Sequence, residues 1–580
     1  MVGKVAMTMT MRCGAFVPLL LVGAAYVAPA NEPYRWFPEF PAAEELLVVP
    51  FAGDPREGMV LEGVAGLLGK AAIEGRTRTL LWEDLPNDGY QWWFASYVAD
   101  HAPKVTHASL DEAVRRAVDL GVVRGYVLYD YDTSDRPLHS AGPMDASANV
   151  ATALVAREAA IPVCVDIEER YRGLGLARVL DVRGMTEEQC LERYGDGLAT
   201  NALGMSDPKA RNARSLMIAM GTAVVSGVGE AYGAALRRCE PDSPVIGWGC
   251  GSEDGITSLS SRMGLFQTAT NWCHNLTVLA EEDGFDLIRP WKPPAKQAST
   301  ARHRANLTLT DGDNIQWLMG NFMGGSEARF YYANPHRGEI PFTWGIPGPG
   351  LAQLSPRTLA ELFSTATPND DFILYSGGGY FYPDLYGSDR PEADALALHA
   401  RRLRAYCDLT GVRILAFNFM DWDGADAMRA CEALAKSIPG LLGILAFQYY
   451  PYPAGEGRVM WVEGAEGDRV PVVSCAMTVW AQTGRERDTT PAAVAARLNE
   501  VAATTESSVS WVLVHAWSYF RPADPSADLL AEERDVAQDG STPGSTRGYE
   551  PALWLASRLG PDVRLCSAHE LLQAVRKAAP

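Results

Sequence analysis

The second half of the chain carries a series of short apolar runs, and this series restricts the possible fold more than any other feature. Eight such runs occur in residues 241–580, and helical stretches such as 391–407, 424–437 and 491–503 separate several of them. The runs are VIGWG (245–249), NLTLTD (306–311), PFTWGI (341–346), FILYS (372–376), VRILAFN (412–418), LLGILAF (441–447), VPVVSC (470–475) and SWVLVHA (510–516). Strands that are buried on both faces by crossover helices have this nearly continuous apolar pattern. We therefore predict an α/β fold with a (β/α)8-like barrel over 241–580, and a doubly wound open sheet is the structural alternative.

Residues 31–240 also alternate strands with helices. Apolar strand candidates such as ELLVVPF, TRTLLWE and VRGYVLYDY are separated by helical segments such as VLEGVAGLLGKAAI. This order predicts an N-terminal α/β region with a parallel sheet, made of one or two small domains. The segment CEPDSP (239–244) is the predicted linker to the barrel, because its prolines cannot continue the preceding helix.

Residues 1–30 have the pattern of a signal peptide. Lys4 and Arg12 precede an apolar stretch that ends in Ala28-Pro29-Ala30, the small residues of a cleavage site. We expect secretion, or export to the cell envelope or periplasm, with no stable membrane span after cleavage. A membrane anchor is the alternative, although the stretch is short for a span.

Composition excludes some classes of function. The formal net charge of −20 and the absence of a basic cluster argue against nucleic acid as a partner. No CxxC spacing occurs, so a structural zinc or redox site is not expected, and we predict no cofactor. Nine cysteines follow the signal peptide, and Cys250 with Cys273, or Cys407 with Cys431, could form disulfides.

Polar and aromatic residues follow the predicted strands. The active site of a (β/α)8 barrel is built from the loops at the C-terminal ends of its strands, so these residues are candidates for one site. In chain order the candidates are Glu253, Asp311, Asp313, Asn314, Gln316, Trp344, Gly377, Gly379, Tyr380, Tyr382, Asp421, Tyr450, His515 and Trp517.

Carboxyl groups among aromatic rings are typical of glycosidic bond cleavage. Aromatic faces stack on sugar rings, while one carboxyl group gives a proton and a second acts as base or nucleophile. We predict Asp311 or Asp313 together with Glu253 as the catalytic carboxyls, and the other candidates as substrate-binding residues. A structural interpretation remains open for several of them, since Asp313 and Asp421 could cap helices and Glu253 could be solvated.

The segment Ser376–Pro383 reads SGGGYFYP, and residues 377–383 fit the pattern GxGYxYP in full. Together with IPFTWGIPGPG (340–350) and DGDNIQW (311–317), this segment resembles the GxGYxYP family of proposed glycoside hydrolases. The resemblance implies a secreted or envelope carbohydrate-active protein with a barrel-like C-terminal domain. We expect the glycines of the motif to make room for a sugar, and Tyr380 and Tyr382 to line its binding site.

Two other functions remain possible from the sequence. A carbohydrate-binding protein without catalysis could use the same aromatic residues. A metal-dependent polysaccharide deacetylase could use Asp311, Asp313 and His515 as ligands, although no HxxxH or HExxH segment supplies further histidines.

Overall fold

The computed structural model describes residues 33–294, 301–480, 488–505, 508–521 and 544–579. The predicted signal peptide lies outside the described residues. Within them, no helix combines the length and the apolar character needed to cross a bilayer.

The N-terminal region contains two three-stranded parallel sheets, with strand orders β2-β1-β3 and β5-β4-β6. Their strands are β1 Glu45–Pro50, β2 Thr79–Asp84, β3 Lys104–His107, β4 Gly125–Tyr129, β5 Ala160–Cys164 and β6 Ala177–Asp181. The helices between them are α1 Pro55–Ile73, α2 Asp88–His101, α3 Leu110–Asp119, α4 Ser147–Glu158, α5 Glu168–Gly173 and α6 Glu187–Tyr194. The predicted parallel α/β organisation of this region is confirmed.

Local sequence signals explain several of these helix starts. Asp54 caps α1 by accepting a hydrogen bond from the Arg56 amide, and Pro55 occupies the first turn, where no amide donor is needed. Ser109 and Glu112 form a reciprocal capping box at the start of α3.

A third parallel sheet has four strands in the order β10-β9-β7-β8. Its strands are β7 Ala199–Ser206, β8 Thr222–Val225, β9 Pro244–Trp248 and β10 Phe266–Thr268. Its helices are α7 Arg214–Met220, α8 Gly229–Arg238, α9 Glu253–Arg262 and α10 Leu276–Leu279. β9 is the run VIGWG, so its predicted place in the barrel is wrong.

The largest sheet has eleven strands, and all of its pairings are parallel except β16 with β17. The strands are β11 His303–Leu309, β12 Phe342–Ile346, β13 Asp370–Tyr375, β14 Ile414–Phe419, β15 Gly443–Gln448, β16 Val459–Glu463, β17 Arg469–Ser474, β18 Met477–Val479, β19 Asp488–Thr489, β20 Ser508–Val514 and β21 Val563–Leu565. The helices are α11 Ile315–Met319, α12 Gly348–Leu354, α13 Pro356–Ser364, α14 Ala395–Thr410, α15 Ala425–Ser437, α16 Pro491–Thr504, α17 Tyr549–Ala556 and α18 Ala568–Lys577.

This large sheet is curled. β17 pairs with β15, and β18, which follows directly in the chain, pairs with β20. The amide of Cys475 donates to the Ala446 carbonyl at 2.9 Å, and the amide of Ala476 donates to the Trp511 carbonyl at 2.8 Å. The chain thus passes directly from a strand paired with β15 to a strand paired with β20, two strands that lie near opposite ends of the curled sheet. A full (β/α)8 barrel is not confirmed.

The third and fourth sheets are joined by the glycine-rich segment after β13. Gln267 in β10 and Tyr380 exchange both backbone hydrogen bonds, each 2.8 Å long, as an antiparallel bridge. One buried hydrophobic cluster includes Trp82, Phe266 and Phe381, so it extends from the first sheet to the last.

The nine cysteines of the described residues are buried, and none forms a disulfide there. The pairings of Cys250 with Cys273 and of Cys407 with Cys431 are therefore not formed in this structure.

Candidate active site

A cavity of about 780 Å³ lies between the large sheet and the four-stranded sheet. Segments that follow β11, β13, β15, β18 and β20 line one side together with Asn418 of β14, and segments that follow β9 and β10 line the other. The carboxyl ends of parallel strands from both sheets therefore face the same space. Of the predicted site residues, the cavity lining includes Glu253, Asp311, Asp313, Asn314, Gln316, Tyr380, Tyr450, His515 and Trp517.

Asp311 and Asp313 lie in the turn between β11 and α11. Asp311 adopts a left-handed backbone conformation with φ of 62°, and its Oδ2 accepts a 2.5 Å hydrogen bond from Thr310. Gly312 packs against Gly345, where a Cβ would lie 2.3 Å from the Gly345 carbonyl oxygen, so a side chain would not fit there. The N-cap position of α11 belongs to Asn314 and has no side-chain capping bond, which argues against a capping role for Asp313.

Asp313 is buried and has neutral hydrogen-bond partners. Its Oδ1 accepts from the Asn314 amide group at 2.9 Å, and its Oδ2 accepts from Ser376 at 3.3 Å. Burial, followed by the negative charges of Asp311 and Glu253, raises the pKa of the Asp313 carboxyl to about 7. Burial also raises the pKa of Asp311, against hydrogen bonds from Thr310 and Trp517. Asp313 can therefore hold a proton near neutral pH.

Glu253 lies at the start of α9 on the opposite side of the cavity. Its Oε1 accepts a 2.7 Å hydrogen bond from the Tyr380 hydroxyl. Helix α9 is capped by Ser252, so Glu253 is not the capping residue. A hydrogen bond donated to a carboxylate stabilises its ionised form. The two sides of the cavity thus present carboxyl groups in different surroundings.

Tyr380 connects three structural elements. Its hydroxyl contacts Glu253, lies 3.1 Å from the side-chain nitrogen of Asn418 in β14, and lies 3.3 Å from the Tyr382 hydroxyl. Its ring is nearly parallel to that of Trp248, with centroids 6.5 Å apart and planes at 18°.

Aromatic side chains form much of the cavity wall. Trp480 stacks on His515 with ring centroids 3.6 Å apart and an interplanar angle of 7°. Trp317 and Trp517 meet edge to face at 4.8 Å. The aromatic residues of the lining are Trp248, Trp272, Trp317, Tyr375, Tyr380, Phe447, Tyr449, Tyr450, Tyr452, Trp480 and Trp517. Such rings offer flat faces to a sugar.

Five predicted site residues are not part of the cavity lining: Trp344, Gly377, Gly379, Tyr382 and Asp421. Trp344 is buried inside β12, where its indole nitrogen donates to Asp370 at 2.8 Å. Asp421 is exposed in the loop after β14, and its amide donates to Asp384 at 2.8 Å. Tyr382 is buried behind Tyr380.

The glycines of the motif make room for the protein itself. A Cβ on Gly379 would lie 2.4 Å from the Phe266 ring and 2.5 Å from the Gln267 carbonyl oxygen. Gly377 has a φ of 60° and packs against His399 and Phe417. The expectation that these glycines admit a sugar is therefore wrong, since they admit β10 and α14 instead.

Several lining residues escaped the sequence analysis. His139, Trp248, Asn271 and Trp272 line the cavity but were not among the predicted site residues: His139 belongs to the N-terminal region, Trp248 ends β9, and Asn271 and Trp272 follow β10. Asn418 was visible as the polar end of the run VRILAFN, and Tyr449 and Tyr452 as neighbours of Tyr450. The contribution of His139 has no local signal, because only tertiary packing brings its loop to the cavity.

The ligands proposed for a deacetylase are not grouped. Among the described residues, one set of three potential ligands has its donor atoms within 4.8 Å of one another, and that set is Glu62, Glu83 and His274. Glu83 of β2 already bonds Arg211 at 2.8 Å and His274 at 2.8 Å, and Glu62 accepts from the Ser215 amide at 2.7 Å.

Comparisons with known proteins agree with the motif. Residues 302–524 match the family model described as "GxGYxYP putative glycoside hydrolase C-terminal domain", and residues 231–281 match "GxGYxYP third domain". No curated protein matches the sequence. A crystal structure described as "a putative hydrolase from Bacteroides thetaiotaomicron VPI-5482" is similar, with a TM-score of 0.75 and 19% sequence identity, covering 94% of this chain and 98% of that chain. At this identity the likeness supports the fold. The family resemblance drawn from the sequence is confirmed.

Proposed function

We propose that this chain, which matches two domains of the GxGYxYP family, hydrolyses glycosidic bonds with the carboxyl groups of Asp313 and Glu253. Asp313, protonated near neutral pH, donates its proton to the oxygen of the leaving group. Glu253, which accepts a hydrogen bond from Tyr380, acts in its ionised form as base toward water or as nucleophile toward the sugar. In its ionised form, Asp311 places a negative charge beside Asp313 and so favours the protonated form of Asp313.

The observation that carries this proposal is the contrast between two carboxyl groups of one cavity. Asp313 is buried, bonded to neutral groups, and has a pKa of about 7, whereas Glu253 accepts a hydrogen bond from a buried tyrosine. Glycosidases need such a pair, because one carboxyl group must be protonated while the other is charged. The surrounding aromatic rings support a sugar as the substrate.

The test compares two isosteric variants with a matched control. Asp313→Asn and Glu253→Gln should each lower kcat on any polysaccharide that the wild type cleaves by about 100-fold or more, as loss of an acid or base does. Asp421→Asn is the control, because Asp421 is an exposed carboxylate outside the cavity. Release of reducing ends from a panel of polysaccharides measures the effect, and thermal unfolding checks the fold. Wild-type rates in both cavity variants would refute the assignment.

A carbohydrate-binding protein without catalysis is the second candidate. It is favoured by the exposed rings at the cavity mouth, where Trp272 is 47% and Tyr450 38% accessible. Glycan-array binding that persists in Asp313→Asn, without cleavage by the wild type, would support it over the hydrolase.

We also propose export from the cytoplasm, on the basis of the signal-peptide pattern in residues 1–30. Mass spectrometry of the native N-terminus should give a protein that starts at Asn31. An intact N-terminus on protein from the cytoplasm would contradict export.

A further inference from the structure

Asn418, a residue of the cavity lining, has a buried polar atom without a hydrogen-bond partner among the described residues. Asn418 is the one polar residue of β14, is 2% exposed, and belongs to the cavity lining. No group of the described residues donates a hydrogen bond to its Oδ1. An unsatisfied buried acceptor is costly, so an atom of this kind beside a cavity indicates a donor that arrives with a ligand.

The hydrogen bonds of Tyr380 fix which way the Asn418 amide points. The Tyr380 hydroxyl has a single proton, and the 2.7 Å contact with Glu253 uses it, because a carboxylate can only accept. The Tyr380 oxygen must then accept from Asn418, at 3.1 Å, and this requires the Nδ2 end of the amide. The Oδ1 end is then the free acceptor of the amide, one hydroxyl group away from Glu253.

The other charged groups nearby restrict the ligand. Glu253, Asp254, Asp311 and Asp313 all line the cavity. A carboxylate or sulfate on a sugar would be repelled by those of these groups that are ionised and would meet no lysine or arginine among the described residues of the lining, whereas a hydroxyl can donate to Oδ1 at no electrostatic cost.

We propose that Asn418 is a specificity-determining residue, which binds a neutral sugar by accepting a hydrogen bond from one of its hydroxyls. This inference rests on the proposed function for the nature of the ligand, a carbohydrate. Tyr380 then has two roles: its hydroxyl accepts from Asn418 and so orients that amide toward the sugar, and it donates to Glu253. Substrate recognition and the catalytic carboxylate share one hydroxyl group.

The experiment measures sugar binding to the full chain by the fluorescence of the cavity tryptophans. The probes are the methyl glycosides of glucose, galactose, mannose, xylose and N-acetylglucosamine, their monodeoxy analogues, and methyl glucuronide and galacturonide. Wild type is compared with Asn418→Ala. The isosteric variant Asn418→Asp replaces it in the measurement if the alanine variant is unstable.

We expect at least one neutral glycoside to bind, with roughly tenfold weaker binding by Asn418→Ala. Removing one particular hydroxyl from that glycoside should weaken binding to wild type roughly tenfold and leave binding to Asn418→Ala unchanged. A purely structural role would lower binding of every analogue alike. The matching uronides should bind wild type more weakly than the neutral sugars.

Three results would overturn the inference: no neutral glycoside binds, a uronide binds more tightly than its neutral counterpart, or every deoxy analogue loses equal affinity in wild type and Asn418→Ala. Failure of the hydrolase proposal looks different. In that case the hydroxyl dependence of binding remains, but no polysaccharide is cleaved by the wild type.

Discussion

Two carboxyl clusters lie on opposite sides of the glycine-rich segment, and they differ in how their charge is compensated. Behind the segment, Asp242 contacts His399 at 2.6 Å, Arg402 at 2.8 Å and Tyr386 at 2.9 Å, and both Asp242 and His399 are fully buried. In front of it, Asp313 accepts hydrogen bonds from the neutral side chains of Asn314 and Ser376. The negative charges of Asp311 and Glu253 act on it in addition.

This difference distinguishes an aspartate with a structural role, Asp242, from one that can take part in a reaction, Asp313. A buried carboxyl group bonded to an arginine, a histidine and a hydroxyl holds the elements that carry them together. A carboxyl group among other acids keeps a proton that it can transfer.

Asp242→Ala should give the largest change in stability. It leaves His399 and Arg402 without their shared anion in a buried site, and breaking such a pair costs about 3–5 kcal/mol. Chemical unfolding measures the loss of free energy. Asp313→Asn is the matched change on the other side of the segment, and it should alter activity with little loss of stability. Equal destabilisation by both would break the comparison.

Gly379→Ala should destabilise the protein by about 1–3 kcal/mol, because the added Cβ overlaps the Phe266 ring and the Gln267 carbonyl. Thermal unfolding gives the effect. Gly53→Ala is the control, since a Cβ at that position meets nothing within 4 Å. If Gly379→Ala kept full stability and lost only sugar binding, the glycine would serve the ligand after all.

Asp311→Asn should give the smallest effect of the three variants, a shift in the pH dependence of kcat/KM. Asp313 must be protonated to act as acid, so activity should fall as pH rises through about 7. The charge of Asp311 raises the pKa of Asp313, and its removal should therefore move this alkaline limb to lower pH. A pH–rate profile on one cleaved polysaccharide measures the shift, and a limb that stayed in place or moved to higher pH would contradict it.

The sequence predicted the parts of this molecule that local patterns determine. Continuous apolar runs such as FILYS and LLGILAF became β13 and β15, and the residues DGDN after β11 did reach a cavity. Sheet membership could not be predicted in the same way. The run VIGWG looks like the others, yet it pairs with β7 and β10, because strand pairing depends on contacts between distant segments.

Side-chain direction was the second source of error. Trp344 lies in the middle of β12, and its ring packs on Tyr549 rather than toward the cavity. The three glycines indicated a close approach correctly, but a sequence does not say whether a ligand or another part of the chain approaches. His139 reaches the cavity from a loop more than one hundred residues before Glu253, and no spacing rule connects the two.

The backbone bridge between Gln267 and Tyr380 limits how far this protein can be truncated. A fragment limited to residues 302–524 would retain Asp313 and Asn418 but would lack Glu253, Trp248 and the strand that Tyr380 pairs with. Such a fragment would contain the side of the cavity formed by the large sheet and lack the side formed by the four-stranded sheet. Shortened versions intended for enzymology or crystallisation should therefore keep the whole four-stranded sheet, β7 to β10, and the loop that carries His139.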